Sequence, residues 1–393
     1  MRRWLVLLGC FIGMGIATPA ILMIPLGLFL KPMTAEFGWS RTEFSSIIAI
    51  AALFNALIMP VAGTLVDRFG ARRIVAVGTV LGCSSYAALS LANSYAAFVT
   101  IMIMAVLAGN LASYPAFMGL AQRWFDKRLG FALAITSTGL AVGVAGFSTV
   151  IAKTIQAQDW RAAFLTVGLA ALVIGLVNLL FLVRDTAEPV DETGSANETT
   201  AASHSLAQAL RTRDFWLYAA SFTLIIFAVV GCNVHLPALL SDRGASTALI
   251  ASVVAIGSLG SLFGRFFTGI MLDRFSVRCV AGIFFIGQAI GFLILRDGLR
   301  WALPASVLLG AVQGAEIDVM GYVMARRFGR LSYARIFGAC FGVTLIGGMI
   351  GPLAMARIFD STGSYDLGLM LLPLFPVAAL GLLWLAKPVQ AAG

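Results

Sequence analysis

Gly63 to Arg73 reads GTLVDRFGARR, and half a chain later Gly269 to Cys279 reads GIMLDRFSVRC, so that Asp67-Arg68 is answered by Asp273-Arg274. In each copy a long apolar run closes on Asp-Arg and further cations. A second pair keeps nearly the same spacing. QRWFDKRLGFALAITSTGLAVG, from Gln122, is echoed by RRFGRLSYARIFGACFGVTLIGG, from Arg326. Both are a basic-aromatic turn followed by a glycine-rich run. A repeat at half the chain length describes two similar halves. Small residues at helical spacing, Gly139 with Gly143 and Gly347 with Gly351, are expected where helix backbones approach closely.

The composition around these repeats is far too apolar for a soluble domain. Of 393 residues, 60% are hydrophobic and 11% charged, and the mean hydropathy is +0.95. The chain therefore reads as an integral membrane protein. A formal charge of +9 invites a nucleic-acid reading, but the cations sit in short clusters between apolar runs and not along one polar face, which excludes it. Cys10, Cys83, Cys232, Cys279 and Cys340 have no metal-like spacing and are expected to be buried free thiols. MRRWLVLLGC imitates a signal peptide, yet its apolar run continues to Leu30 and reads as an uncleaved first span.

Hydropathy predicts spans near 4–30, 44–65, 74–93, 97–121, 130–151, 162–183, 214–240, 247–272, 277–296, 301–325, 335–357 and 366–386, six in each half. In lipid a backbone amide has no water to bond, so runs this long must pair their amides internally, as helices. Orientation follows from Lys and Arg. Putting both termini in the cytoplasm gathers Arg2, Arg3, Arg68, Arg72, Arg73, Arg123, Lys127, Arg128, Arg326, Arg327, Arg330 and Arg335 inside. Fewer cations, among them Lys31, Arg41, Lys153, Arg161 and Arg243, are left outside. The expected organisation is a first bundle at 1–183, a cytoplasmic linker at 184–213 and a second bundle at 214–393. The linker begins with disorder-prone composition, and Ser205 then reads as the cap of a short helix. His204 in this linker is expected to be a solvated surface residue.

GTLVDRFGARR matches in full the pattern G-x-L-x-D-R-x-G-x-R-R, which marks the loop between spans 2 and 3 in the major facilitator superfamily. With twelve spans and the half-length repeat, the chain resembles that superfamily over essentially its whole length. The resemblance implies an all-α integral membrane fold of twelve transmembrane helices in two six-helix, pseudo-symmetric bundles. It also implies a monomer, with Gly63, Asp67, Arg68, Gly70, Arg72, Arg73, Asp273 and Arg274 in a cytoplasmic conformational latch. An aspartate and arginines at helix ends can pair in one state and part in another. The second copy has Ser276 in place of Gly70 and Cys279 in place of Arg73, so a weaker latch is expected there.

Within the superfamily the chain is similar to the monocarboxylate porter and oxalate/formate antiporter branch. The residues responsible are RWFDKRLGFALAITSTGLAVG after span 4, GRFFTGIMLDRF in span 8 and GAEIDVMGYVMARRFG in span 10. The relatives' span-8 arginine, which engages the substrate carboxylate, corresponds to Arg265. Animal monocarboxylate carriers also have an aspartate four residues before that arginine and a lysine in span 1. Here those places hold Ser261 and an apolar stretch around Ile24.

The residues themselves point to Arg265 as well, because a guanidinium stays charged and is costly in hydrocarbon. It lies eight residues before Asp273, about 12 Å along the helix and close to the midplane of a core about 30 Å thick. Asp318 reaches the same depth on span 10, and Glu316 a little deeper. Arg265 is expected to hold a carboxylate through a bidentate pair, with Asp318 or Glu316 as its partner when empty. A structural ion pair between spans 8 and 10 is the alternative. Asp318, Glu316 and His235 are the proton-coupling candidates. For His235 a satisfied helix-packing histidine is the reading to set first, ahead of a proton relay or a donor to the substrate. Asn110, Tyr114, Asn233, Gln313 and Tyr322 are polar groups at mid-span depth that line a cavity or bond between helices.

No Walker-type glycine loop, HExxH, CxxC or GxSxG constellation is present. Nor does TSTGLAVGVAGF in span 5 carry the glycine-proline motif of drug/proton antiporters. The expected protein is not an enzyme and needs no cofactor or metal. It is a secondary active transporter of small organic anions, monocarboxylate-like, working by proton symport and alternating access in a bacterial inner membrane. Its partners are a small carboxylate, protons and the bilayer. Anion exchange and export of another amphipathic solute are the rival readings, and a non-transporting receptor is a more distant one.

Overall fold

The computed structural model describes residues 2–39, 41–125, 128–185, 204–330 and 332–387. Residues 186–203 of the predicted linker, and Lys127 of the predicted cytoplasmic cations, lie outside the described residues. Among the described residues, twelve helical segments are long and apolar enough to cross a membrane: Arg3–Met23, Ser46–Phe69, Ala71–Leu91, Tyr95–Trp124, Leu129–Ala157, Trp160–Phe181, Arg213–Asp242, Ala248–Leu272, Val277–Arg296, Leu299–Phe328, Tyr333–Thr362 and Asp366–Leu385, here spans 1 to 12. Large apolar side chains such as Leu57, Phe181, Phe263 and Leu353 are exposed on them, as contact with lipid requires.

Three breaks in these helices fall at proline, which has no amide to donate and whose ring collides with the preceding turn, although Pro60, Pro237 and Pro352 lie inside helices that continue through them. The single first span expected at 4–30 is four pieces. An α-helix, Arg2–Gly15, is followed by a π turn at Pro19–Met23, a 3-10 turn at Pro25–Phe29 and a helix at Leu30–Phe37. Span 4 breaks at the 3-10 turn Asn110–Ala112 and an extended Ser113, just before Pro115. Span 12 restarts after Pro373.

The repeated motif sits on helix, where a loop was expected. Arg41–Phe69 is one helix that includes Asp67 and Arg68, and the next begins at Ala71. Only Gly70 separates them, at φ +87, a left-handed conformation that costs glycine nothing. In the second copy Ser276 makes the turn differently. Its φ is −64, and its hydroxyl accepts from the Cys279 amide at 3.3 Å, an N-cap for span 9. Ser205 forms a full capping box with Gln208 on the helix Leu206–Arg211, and Thr212 caps span 7.

His204 corrects the sequence reading. Its amide donates to the Phe328 carbonyl at 2.9 Å, and its ring meets Phe328 edge-on, so it is packed and half-buried where a fully solvated residue was expected. The cysteines are free, and Cys279 is exposed where burial was expected.

The chain divides into two compact units. Unit 1 is Met1–Asp126, Ile135–Ser203 and Gly329–Gly342; unit 2 is Lys127–Ala134, His204–Phe328 and Val343–Gly393. The first turns of spans 5 and 11 thus group with sequence-distant helices. In unit 1 a methyl group on Gly139 or Gly143 would stand 1.9 Å from the carbonyl oxygens of Phe11 and Gly15, so spans 1 and 5 touch backbone to backbone. In unit 2 Gly347 and Gly351 stand likewise against Thr223 and Phe227, at 2.4 and 2.2 Å. Small residues permit this approach, and side-chain packing and weak Cα–H···O contacts stabilise it.

Candidate functional site

Unit 2 brings the predicted charged residues together through a seam between spans 8 and 10. A methyl on Gly310 would meet the Gly257 carbonyl oxygen at 2.0 Å, one on Gly264 the Ala311 oxygen at 2.0 Å, and one on Gly314 the Ser261 oxygen at 2.0 Å. The contact on Gly314 also lies 3.1 Å from the Arg265 amide nitrogen. Arg265 and Glu316 therefore hang from two backbones in direct contact. Arg265 is 5% exposed, and its Nε and Nη1 have no hydrogen-bond partner. Glu316 is 7% exposed, and its Oε2 is likewise unbonded. No ion pair within 4 Å joins Arg265 to an acid among the described residues. Asp318 is fully buried on the same helix. The close ion pair expected in the empty protein is thus absent; the seam holds an incompletely satisfied cation beside an acid.

The polar candidates fall into three situations. Asn233 of span 7 donates from Nδ2 to Gln313 Oε1 of span 10 at 3.0 Å, and Gln313 is exposed. Tyr322 is fully buried, its hydroxyl unbonded and its ring under the Arg326 guanidinium at 5.5 Å. His235 is held by packing partners: Nε2 lies 3.0 Å from the Pro352 carbonyl oxygen and Nδ1 3.1 Å from the Tyr365 hydroxyl. Because a carbonyl only accepts, Nε2 carries the proton there. In unit 1, Asn110 is fully buried and donates to the Val106 carbonyl at 2.8 Å, back onto the helix that precedes its 3-10 turn. Tyr114 meets Phe341 edge-on at 5.3 Å.

The two copies of the motif do the same mechanical work, a feature the sequence reading missed. In unit 1, Gly63 lies against the start of span 11, where a methyl group would be 2.0 Å from the Ala334 carbonyl oxygen. One turn on, Asp67 accepts from the Arg335 amide at 2.9 Å. In unit 2, Gly269 lies against Gly130 and Ala134 at the start of span 5, and Asp273 accepts from the Gly130 and Phe131 amides at 2.8 and 3.1 Å. Glycine brings the helix end close, and the aspartate four residues later satisfies its free amides and complements its dipole. The i, i+4 spacing of Gly and Asp was the signal available.

The copies differ in charge. Asp67 has Arg123 and Arg335 at 3.6 and 3.8 Å, while Asp273 has no ion pair within 4 Å among the described residues. Burial raises the Asp273 carboxyl above the ordinary carboxylate range, and the two backbone bonds only partly offset this. Arg68, Arg72, Arg73 and Arg274 are exposed. The Arg72 amide, next to the Gly70 turn, donates to Asp185 at 3.3 Å.

A cavity in unit 1, lined by Thr18, Thr79, Cys83, Tyr86, Phe117 and Asn178 among others, has no charged residue in its wall. It offers nothing to compensate a carboxylate, so the charged seam in unit 2 is the stronger candidate.

A half-length repeat that reappears as paired helix caps, twelve spans and a cation buried within one of them define a polytopic membrane carrier. The Major Facilitator Superfamily model matches residues 3–252 and 233–392, and the chain belongs to that superfamily. Among its relatives is the 4-hydroxybenzoate transporter PcaK of Pseudomonas putida, 26% identical, with 88% of this chain and 86% of that protein covered. Monocarboxylate transporter 11 of Mus musculus is 25% identical over 88% of this chain and 79% of its own length. A variant of the E. coli fucose:proton symporter FucP has the same fold, with a TM-score of 0.75, 14% identity and coverage of 97% and 98%.

Proposed function

We propose that the protein is a secondary active transporter of small organic acids, with Arg265 as the group that receives the substrate carboxylate. The observation that carries this is the state of Arg265: it is buried in a span, permanently charged, and has unbonded Nε and Nη1 donors. A guanidinium so placed is costly unless an anion completes its bonding, and a carboxylate matches its planar fork. Relatives named for a hydroxybenzoate and for monocarboxylates support the substrate class. Glu316 is the proton-coupling group in this reading, with Asp318, two residues on in the same helix, as the alternative. Protonation of the acid as substrate arrives would leave one cation and one carboxylate in the seam, and acid and proton would cross together without moving net charge. Alternating access by the two halves, around a site near mid-membrane, follows from the superfamily. The paired aspartate caps serve as contacts that hold one of its states.

The test is uptake of labelled carboxylates into proteoliposomes with and without an inward proton gradient. Uptake driven by the gradient supports symport. Uptake that depends on internal substrate supports exchange, and a panel in which no carboxylate is moved removes the proposal.

A further inference from the structure

Asn233 and Gln313 are joined amide to amide, Nδ2 to Oε1, at 3.0 Å. An amide offers one carbonyl acceptor and two N–H donors. One bond between two amides leaves a free acceptor on one side chain beside a free donor on the other, whichever way each is turned. An acceptor beside a donor fits a hydroxyl group, which gives one bond and takes another.

The surroundings say what the pair faces. Gln313 is exposed and Asn233 half-buried, yet Gln313 stands midway along span 10, Leu299–Phe328. Amides left open to hydrocarbon forfeit their remaining bonds, so this pair faces water or solute and not lipid. It is also close to Arg265. Gln313 precedes Gly314, the residue whose backbone touches Ser261 and Arg265, and lies one turn from Glu316 on the same face of the helix.

We infer that the Asn233–Gln313 pair is a hydroxyl subsite, and that the preferred substrates are hydroxy acids whose carboxylate meets Arg265 while a neutral hydroxyl meets the two amides. This rests on the carboxylate reading above. The hydroxyl replaces a water from the pair with no loss of bonds, whereas the plain acid leaves the amides to be rehydrated beside an apolar chain. The pair thus sets specificity, and Arg265 sets charge.

The experiment is competition for uptake between matched straight-chain acids of increasing length, each with and without a terminal hydroxyl. It uses the full-length protein in proteoliposomes and then Asn233→Leu with Gln313→Met. In the wild type the hydroxylated member of the best pair should compete about tenfold more strongly, the effect of one to two net hydrogen bonds. In the double variant, checked for monodispersity and unchanged thermal unfolding, the ratio should fall to near one. Plain acids competing as well as hydroxy acids in the wild type would overturn the subsite and leave the carboxylate reading standing. A preference that survives the double variant would do the same. If no acid of either kind competes, the carboxylate reading falls and takes the subsite with it. The wild-type comparison decides by itself should the variant not fold.

Discussion

Gly314 and Arg265 meet backbone to backbone: a methyl group on Gly314 would stand 3.1 Å from the Arg265 amide nitrogen and 2.0 Å from the Ser261 carbonyl oxygen. Both obstacles are backbone, so Gly314→Ala must part spans 8 and 10 at the level of the buried charges. Overpacking of this kind costs about 1–3 kcal/mol. Gly310→Ala meets the Gly257 oxygen at the same 2.0 Å, one turn further from Arg265. The two variants should lose similar amounts of thermal stability, while Gly314→Ala alone should raise KM for the transported acid. Equal kinetic effects would show that the seam matters only for folding.

Arg265→Lys keeps a charge at this position and removes the planar fork. If a carboxylate is received by two parallel bonds, KM should rise about tenfold or more, since one charge-assisted bond is worth roughly 1.5–3 kcal/mol. Transport at full affinity in the lysine variant would exclude bidentate capture. Glu316→Gln removes the titratable acid from the seam without breaking a close ion pair. Uptake should then lose its response to an inward proton gradient, while added substrate should still raise the unfolding temperature.

Arg265 could be read from the sequence because a charge inside an apolar run violates the rule for every other residue around it. Span 9 was equally legible, Val277–Arg296 matching its predicted limits, because nothing in that run interrupts apolar helix. Spans 1 and 4 were read as continuous because a hydropathy window averages over Pro19, Pro25 and Pro115, and a proline by itself does not mark a break, since Pro60, Pro237 and Pro352 stay within helix. The Gly and Asp spacing could have flagged the caps made by Asp67 and Asp273, but what they cap was out of reach for another reason. Their partners, the first amides of spans 11 and 5, are remote in the chain, and no local pattern names a tertiary partner. His204 failed in the same way: its composition is that of a linker, but Phe328 gives its ring a surface to pack on.

Glu36, near the end of the helix Leu30–Phe37 that follows span 1, accepts from the Arg161 guanidinium and from Trp160 Nε1, and Arg161 lies over the Trp160 ring at 4.2 Å. The Arg161 bond first, and the Trp160 bond second, hold this carboxyl below the ordinary range. A lowered folded value means that the contribution is present above the unfolded pKa, about 4.3, and is lost as pH falls through the folded one. Glu36 is 43% exposed, so water and salt screen the pair. Glu36→Gln should cost under about 1 kcal/mol near neutral pH, less in high salt, and nothing in strong acid. Unfolding scans at two salt concentrations measure it.

Asp273 should show the opposite slope. Burial raises its carboxyl above the ordinary range despite two backbone bonds. The folded protein therefore keeps a proton there to higher pH than the unfolded chain does. Its contribution is complete below the unfolded value of about 3.9 and declines as pH rises through the folded one, where a half-buried group must ionise. Asp273→Asn removes the titration and also one of two acceptors, because Gly130 and Phe131 bond to different carboxyl oxygens. The variant should be less stable than the wild type in acid, by about 1 kcal/mol for the lost bond. The gap should then narrow as pH rises and the wild type alone pays for ionisation. Thermal unfolding of both proteins from about pH 4 to pH 7 decides the matter. A gap that widens toward neutral pH would mean that the charge on Asp273, acting on the first turn of span 5, outweighs the cost of burying it.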